Sequence, residues 1–280
     1  MRGVPPRRDR GRCALAPGSR CGVSVRLRAS AVRARKGTRF ATVTAYDAAF
    51  ARLAEAAGID VLLVGDSLGN VVLGYASTMS VTLDDMERHT GAVVRGATRA
   101  HVIADLPFMS YEASDADAVR SAGRLARAGA SSVKLEGGAA RAARIAAIVA
   151  ADIPVVAHIG VQPQTAALGG GFKRRDDRER LLADAHAVSE AGAFALVLEM
   201  VAPELAREIT AAVAIPTIGI GSGPDCDAQI LVLYDLLGLS ETPPPFVRAY
   251  AQLGDDVRAA LGAYAADIVA GRFPAPVPRR

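Results

Sequence analysis

Short apolar runs alternate with longer amphipathic segments from about residue 39 to residue 234. The clearest run is Val61-Leu62-Leu63-Val64, four branched apolar residues that pass straight into Gly65, Asp66 and Ser67. An unbroken apolar run between turn residues suits a strand buried on both faces, as in a parallel sheet. The same reading predicts strands over 39–46, 101–106, 132–136, 153–159, 194–200, 215–220 and 230–234. Between them the period lengthens to that of helices, predicted over 48–57, 83–97, 114–128, 139–150, 178–191 and 203–213. Asp47 and Thr82 stand where helix N-caps are wanted, and Gly58, Gly129 and Gly192 where left-handed C-caps are. A short helix within 23–36 leads into the fold, and helical turns over 246–270 close it.

Eight strands with intervening helices predict a single-domain α/β protein, a (β/α)8 TIM barrel over 23–280. A doubly wound open sheet is the competing fold, but no G-x-G-x-x-G follows the first strand. Gly219-Ile220-Gly221-Ser222-Gly223 follows the seventh strand and runs into Pro224, a weak dinucleotide signal. Apolar residues at 51%, aromatics at 5% and the absence of Trp favour such an α/β protein over a sandwich.

Charge sharpens the division of the chain. The formal charge is +4, yet 12 of the 33 Lys and Arg lie in residues 1–40 beside one acid, Asp9. The remainder carries a balance of −7, so nucleic acid is not expected as a partner. Residues 1–22, rich in Arg, Gly and Pro, read as a disordered extension with no apolar core of a secretory signal. No run approaches the roughly 18 apolar residues of a membrane helix, and no membrane contact is expected. Cys13, Cys21 and Cys226 have neither disulfide-scaffold nor zinc spacing. The expected location is cytoplasmic.

Chemistry gathers at the carboxyl ends of the predicted strands, the face on which barrel enzymes build their sites. Asp66 and Ser67 follow the second strand, and Asp105 ends the third. Lys134 and Glu136 share one face of the fourth, while Val133 and Leu135 face the helices. His158 and Glu199 come from the fifth and sixth. Singly, each has a structural explanation: Asp66 as a helix cap, Lys134 and Glu136 as a core ion pair, Glu199 as a buried partner of Lys134. On five successive strand ends, they point to a site. Asp66, Asp105 and Glu136 form a hard oxygen set that suits Mg²⁺ rather than Zn²⁺. A metal with open positions would chelate a 2-oxo acid and stabilise the enolate left when a base removes the adjacent proton. Glu199 is placed to be that base.

Several blocks together resemble ketopantoate hydroxymethyltransferase. They are Thr44-Ala45-Tyr46-Asp47, Val64-Gly65-Asp66-Ser67-Leu68-Gly69, Ala104-Asp105-Leu106-Pro107-Phe108-Met109, Val133-Lys134-Leu135-Glu136-Gly137-Gly138, His158-Ile159-Gly160 and Leu198-Glu199. The resemblance runs from about Val25 to Pro274 and implies a (β/α)8 enzyme of pantothenate biosynthesis. Such an enzyme transfers a hydroxymethyl group from 5,10-methylenetetrahydrofolate to 3-methyl-2-oxobutanoate, giving 2-dehydropantoate. It implies Mg²⁺ on Asp66, Asp105 and Glu136, oxo-acid contacts from Asp66, Ser67, Asp105 and Lys134, and Glu199 as proton acceptor. It also implies a cytoplasmic homo-oligomer, commonly a decamer. The chain departs from the family's pattern at Gln162, in the charged segment 174–180, at Gly221-Ser222-Gly223 and at its C-terminus, 276–280. A related barrel lyase or mutase is the alternative, though Cys226 is poorly placed for the loop cysteine such enzymes use. A catalytically silent barrel is disfavoured because no site carboxylate is lost.

Overall fold

Eight parallel strands close into a barrel in chain order, each hydrogen-bonded to the next and β8 returning to β1. The structure is a computed structural model describing residues 26–166, 168 and 173–274. The expected extension 1–22 and the divergent residues 276–280 lie outside the described residues. The strands are β1 (Phe40–Thr44), β2 (Val61–Val64), β3 (His101–Asp105), β4 (Ser132–Glu136), β5 (Val155–Gly160), β6 (Ala195–Glu199), β7 (Thr217–Ile220) and β8 (Ala228–Leu231). The (β/α)8 expectation holds and the open sheet does not. The eighth strand begins two residues earlier than its apolar run suggests, because Ala228 and Gln229 pair with Phe40 and Ala41.

A short α1 (Ala29–Arg33) precedes the barrel, and α2 (Ala48–Ala56) and α3 (Leu68–Val71) follow β1 and β2. Next come α4 (Leu83–Gly96), α5 (Asp115–Arg127), α6 (Ala142–Ala150), α7 (Pro163–Ala166), α8 (Arg178–Glu190) and α9 (Pro203–Ala212). The chain ends with α10 (Leu233–Leu236) and α11 (Leu253–Val269). The predicted caps are in place. Asp47 accepts from the amides of Ala49 and Phe50, and Thr82 forms a reciprocal capping box with Asp85. The closing helix starts at Leu253 rather than 246, and after Pro243 the chain makes a turn in which the Val247 amide donates to the Pro244 carbonyl at 3.0 Å.

Strand alternation sorts the core into two layers. Outward-facing Leu62, Val102, Val133, Ala157 and Leu196 pack beneath the helices. Inward-facing Leu63, Ile103, Val156, Val197, Ile218 and Ile230 fill the barrel, with Val32 of α1 packed among them at its amino end. One step further along the same inward stripes, Ile103 gives way to Asp105, Val156 to His158 and Val197 to Glu199. The barrel interior is apolar in its body and polar at its carboxyl mouth.

Among the buried titratable groups at the amino end is His101. Its Nδ1 faces the Leu27 carbonyl at 2.9 Å and so carries the proton, leaving Nε2 to accept from the Ser132 hydroxyl at 2.9 Å. Burial pushes its pKa down from 6.5 to about 4, with Arg26 adding to the shift and the Leu27 carbonyl opposing it. Below pH 6.5 the unfolded chain therefore takes up a proton that the folded protein refuses. Stability is lost as pH falls towards 4, by about 3 kcal/mol at about 1.4 kcal/mol per pKa unit. Urea midpoints measured from pH 7 to pH 4 should fall more steeply for the unmodified protein than for His101→Gln. Parallel profiles would assign the acid loss elsewhere.

Candidate active site

The polar mouth opens into a cavity of about 880 Å³ walled by Asp66, Ser67, Asp105, Lys134, Glu136, His158 and Glu199. All seven expected side chains thus meet in one place. Strand register does the gathering, since it sets Asp105 beside Lys134, Glu136 beside His158, and Gly160 beside Glu199. At Gly160 the register depends on glycine: its φ is +101°, and a Cβ there would lie 2.2 Å from the Glu199 carbonyl oxygen. Directly after Glu199, Met200 adopts a left-handed φ of 49°, an uncommon conformation for a side-chain-bearing residue at the rim of a site.

Lys134 is the hub, but not with its expected partners. Its Nζ lies 3.2 Å from Asp105 Oδ1 and 3.3 Å from His158 Nδ1. The predicted pairs with Glu136 and with Glu199 are not the ion pairs formed. Residues two apart on one strand are separated by nearly 7 Å, whereas neighbouring strands lie only about 4.8 Å apart, so the cross-strand partner Asp105 is nearer. Asp66 does not cap a helix. Its carboxylate accepts from the Gln164 amide at 2.8 Å, and Ser67, the residue at the start of α3, makes no side-chain cap.

The electrostatics follow from burial. Burial raises the carboxyls of Asp66, Asp105 and Glu136 against the opposing pull of Lys134, Asp105 to about 7 and Glu136 well above its usual range. Burial alone would lower Lys134, but Asp105, Glu136 and Asp66 outweigh it and hold the ammonium charged. Burial, and after it Lys134, lowers His158, which is neutral at neutral pH. An ammonium only donates, so His158 Nδ1 is the acceptor and its proton sits on Nε2. That proton faces Glu199 Oε2 at 3.4 Å, and Glu136 Oε1 lies 3.6 Å from Nδ1.

The donors fit a hard cation. Asp105 Oδ1 is buried with no hydrogen-bond partner, its Lys134 contact being poorly aligned, and the carboxylates of Asp66 and Glu136 are among those that share its cavity. Among the described residues no group of three His, Cys, Asp or Glu side chains is placed to hold a metal ion by itself. One or two carboxylates, with water completing the shell, is the usual arrangement for Mg²⁺.

Three participants carried no role in the sequence reading. Tyr46 Oη is 2.9 Å from Ser67 Oγ and orients that hydroxyl. Gln164 and Tyr111, both buried, form a network behind Asp66 and Glu136. Tyr111 sits in the loop after β3 and Gln164 in the four-residue helix α7 after β5, both too short for periodicity to mark them. Gln164 does fall in His158-Ile159-Gly160-Val161-Gln162-Pro163-Gln164, the one signal that could have drawn attention to it. In the charged segment, Arg175 is fastened by its backbone to Met200 and Ala202, alongside the exit of β6.

Comparison with known proteins bears on this site. Residues 25–276 match the family described as ketopantoate hydroxymethyltransferase. The 3-methyl-2-oxobutanoate hydroxymethyltransferase of Hyperthermus butylicus is 55% identical over 87% of this chain and 86% of its own length. The enzyme of that name from Moorella thermoacetica is 54% identical over 85% and 91%. Among solved structures, 2,3-dimethylmalate lyase, a PEP mutase/isocitrate lyase superfamily member, aligns with a TM-score of 0.60 at 21% identity, over 90% of both chains. A phosphonopyruvate hydrolase complexed with oxalate and Mg²⁺ aligns at 0.58 and 18% identity, over 90% of this chain and 91% of its own. At these identities the two structures speak for the shared barrel.

Proposed function

The chain belongs to the ketopantoate hydroxymethyltransferase family, and on that premise we propose that its mouth cavity converts 3-methyl-2-oxobutanoate to 2-dehydropantoate. The hydroxymethyl group comes from 5,10-methylenetetrahydrofolate, with water supplying its oxygen. The observation that carries the reading is Glu199 on the wall of a cavity that also holds a buried ammonium and three carboxylates.

Asp66, Asp105 and Glu136 would hold Mg²⁺. When bound, the ion supplies Lewis-acid polarisation of the oxo acid's keto oxygen. Lys134 attracts the substrate carboxylate, and Ser67, oriented by Tyr46, donates a hydrogen bond to it. Glu199 takes the C3 proton, which leaves C3 nucleophilic towards the one-carbon unit. His158, proton on Nε2, lies 3.4 Å from the Glu199 carboxylate on the cavity wall. A lyase or mutase reading shares the barrel with distant structural relatives only, whereas the sequence relatives all point to transfer.

The test is product formation from methylenetetrahydrofolate and 3-methyl-2-oxobutanoate, with Mg²⁺ and then with a chelator. Metal-dependent formation of 2-dehydropantoate is expected. Turnover of the oxo acid without a folate requirement would favour the lyase reading instead.

The proposal includes a homo-oligomer. Helix α11 has no buried residue, and Val257, Leu261, Tyr264 and Ile268 form an exposed apolar stripe along it. Most helical stability in proteins comes from packing an apolar face, which α11 does not do within its own chain. The outward-facing Ala41 and Gln229 on β1 and β8 are exposed, while the equivalent Leu62, Val102 and Val133 have no exposure. A second copy's α11 fits that exposed face. Sedimentation velocity should show an assembly that Leu261→Asp shifts to smaller species; an unmodified monomer would remove this part of the proposal. A cytoplasmic location accords with the free thiol of Cys226. No helix among the described residues is long and apolar enough to cross a membrane.

A further inference from the structure

The geometry points to Gln164 as a positioning residue that fixes the metal-facing carboxylates of Asp66 and Glu136, an inference that rests on the Mg²⁺ reading above. Gln164 is 1% exposed, and its side-chain amide has partners at both ends. Nε2 donates to Asp66 Oδ2 at 2.8 Å and to the Leu106 carbonyl at 2.8 Å. Both partners only accept, so the amide can be oriented one way. Its Oε1 then accepts from Tyr111 Oη at 2.6 Å. The backbone amide of the same residue donates to Glu136 Oε2 at 3.2 Å. Tyr111 closes the ring, accepting from the Glu136 amide at 3.2 Å.

One residue thus ties an oxygen of Asp66 and an oxygen of Glu136 to a single rigid frame. The frame reaches from the end of β2 to the end of β4 through the short helix α7 after β5. A carboxylate held by one oxygen keeps its plane, and so the direction of the other oxygen, fixed before any cation arrives. Partners behind metal ligands act in this way, and losing one costs about 10–100-fold in metal affinity. Gln164 is neutral, which matters among buried carboxylates: it donates without adding a charge that the cation would have to displace.

Gln164→Met keeps length and burial but removes both donors and the acceptor. Titration of the substrate-free protein with Mn²⁺, followed by the loss of the free ion's paramagnetic resonance signal, should show a Kd raised about 10–100-fold. Raising the metal concentration should restore C3 proton exchange of 3-methyl-2-oxobutanoate towards the unmodified rate. A purely structural role would lower the melting temperature and leave the Mn²⁺ Kd within twofold, and that result overturns the inference. Should Gln164→Met fail to fold, Tyr111→Phe removes the hydroxyl that orients the amide and accepts from the Glu136 backbone, leaving Gln164 itself in place. A several-fold rise in Kd is then expected, and an unchanged Kd again overturns it. An unmodified protein that binds no Mn²⁺ would remove the metal reading and this inference with it. An unmodified protein that binds, beside variants that bind equally, removes the inference alone.

Discussion

Glu199→Gln should bind Mg²⁺ and 3-methyl-2-oxobutanoate as the unmodified protein does, yet exchange the C3 proton with deuterated water roughly 10²–10⁴-fold more slowly. The geometry makes this a clean substitution. Glu199 Oε2 faces the Nε2 proton of His158 at 3.4 Å, and a glutamine oxygen can occupy that place. Shape and the neighbouring imidazole are retained, and only the basic electron pair is lost. Exchange needs no folate, so the result does not depend on the charged rim around Arg175. Exchange at the unmodified rate would take proton removal away from Glu199 and leave it as a partner of His158.

The second large effect is expected at Lys134. Lys134→Met should lower stability by about 3–5 kcal/mol, the usual cost of removing one member of a buried charged set. Asp66, Asp105 and Glu136 would then share a low-dielectric cavity with no ammonium among them. Their folded-state pKa values are already raised by burial and would rise further. Stability attached to a raised carboxyl is lost as pH rises through its folded value, so the deficit should be largest at neutral pH and narrow in acid. Calorimetry should also show weaker binding of the oxo acid, whose carboxylate loses its cation. If urea midpoints fall but oxo-acid affinity does not, Lys134 serves the carboxylates and not the substrate. If neither moves, the buried set is neutralised by protons alone.

The barrel was legible because its inward and outward stripes obey one rule on every strand. Val133 and Leu135 had to face helices, and do, so Lys134 and Glu136 had to face the mouth. What periodicity cannot convey is the neighbour across the sheet. Lys134 looked like a partner for Glu136 because they share a strand; register, invisible along a single chain, delivered Asp105 instead. Gln164 and Tyr111 escaped for a similar reason. Tyr111 sits in a loop and Gln164 in a single-turn helix, where side-chain direction is set by local backbone and not by a readable period, and their importance lies in bonds spanning 53 and 98 residues of chain. The family resemblance supplied roles, but the frame behind those roles had to be seen folded.

Between α10 and α11 the chain from Leu239 to Val247 runs along the cavity, with Phe246 packed beside Gly221 and Met200. That wall continues directly into a helix that finds no burial on its own barrel. Whatever engages α11 therefore holds one side of the reaction chamber in place. On the proposed oligomer, catalysis and mass action would be linked, since dilution that frees the helix would also loosen the wall. Specific activity should then depend on protein concentration, falling below the dissociation threshold even for a chain whose every catalytic group is intact.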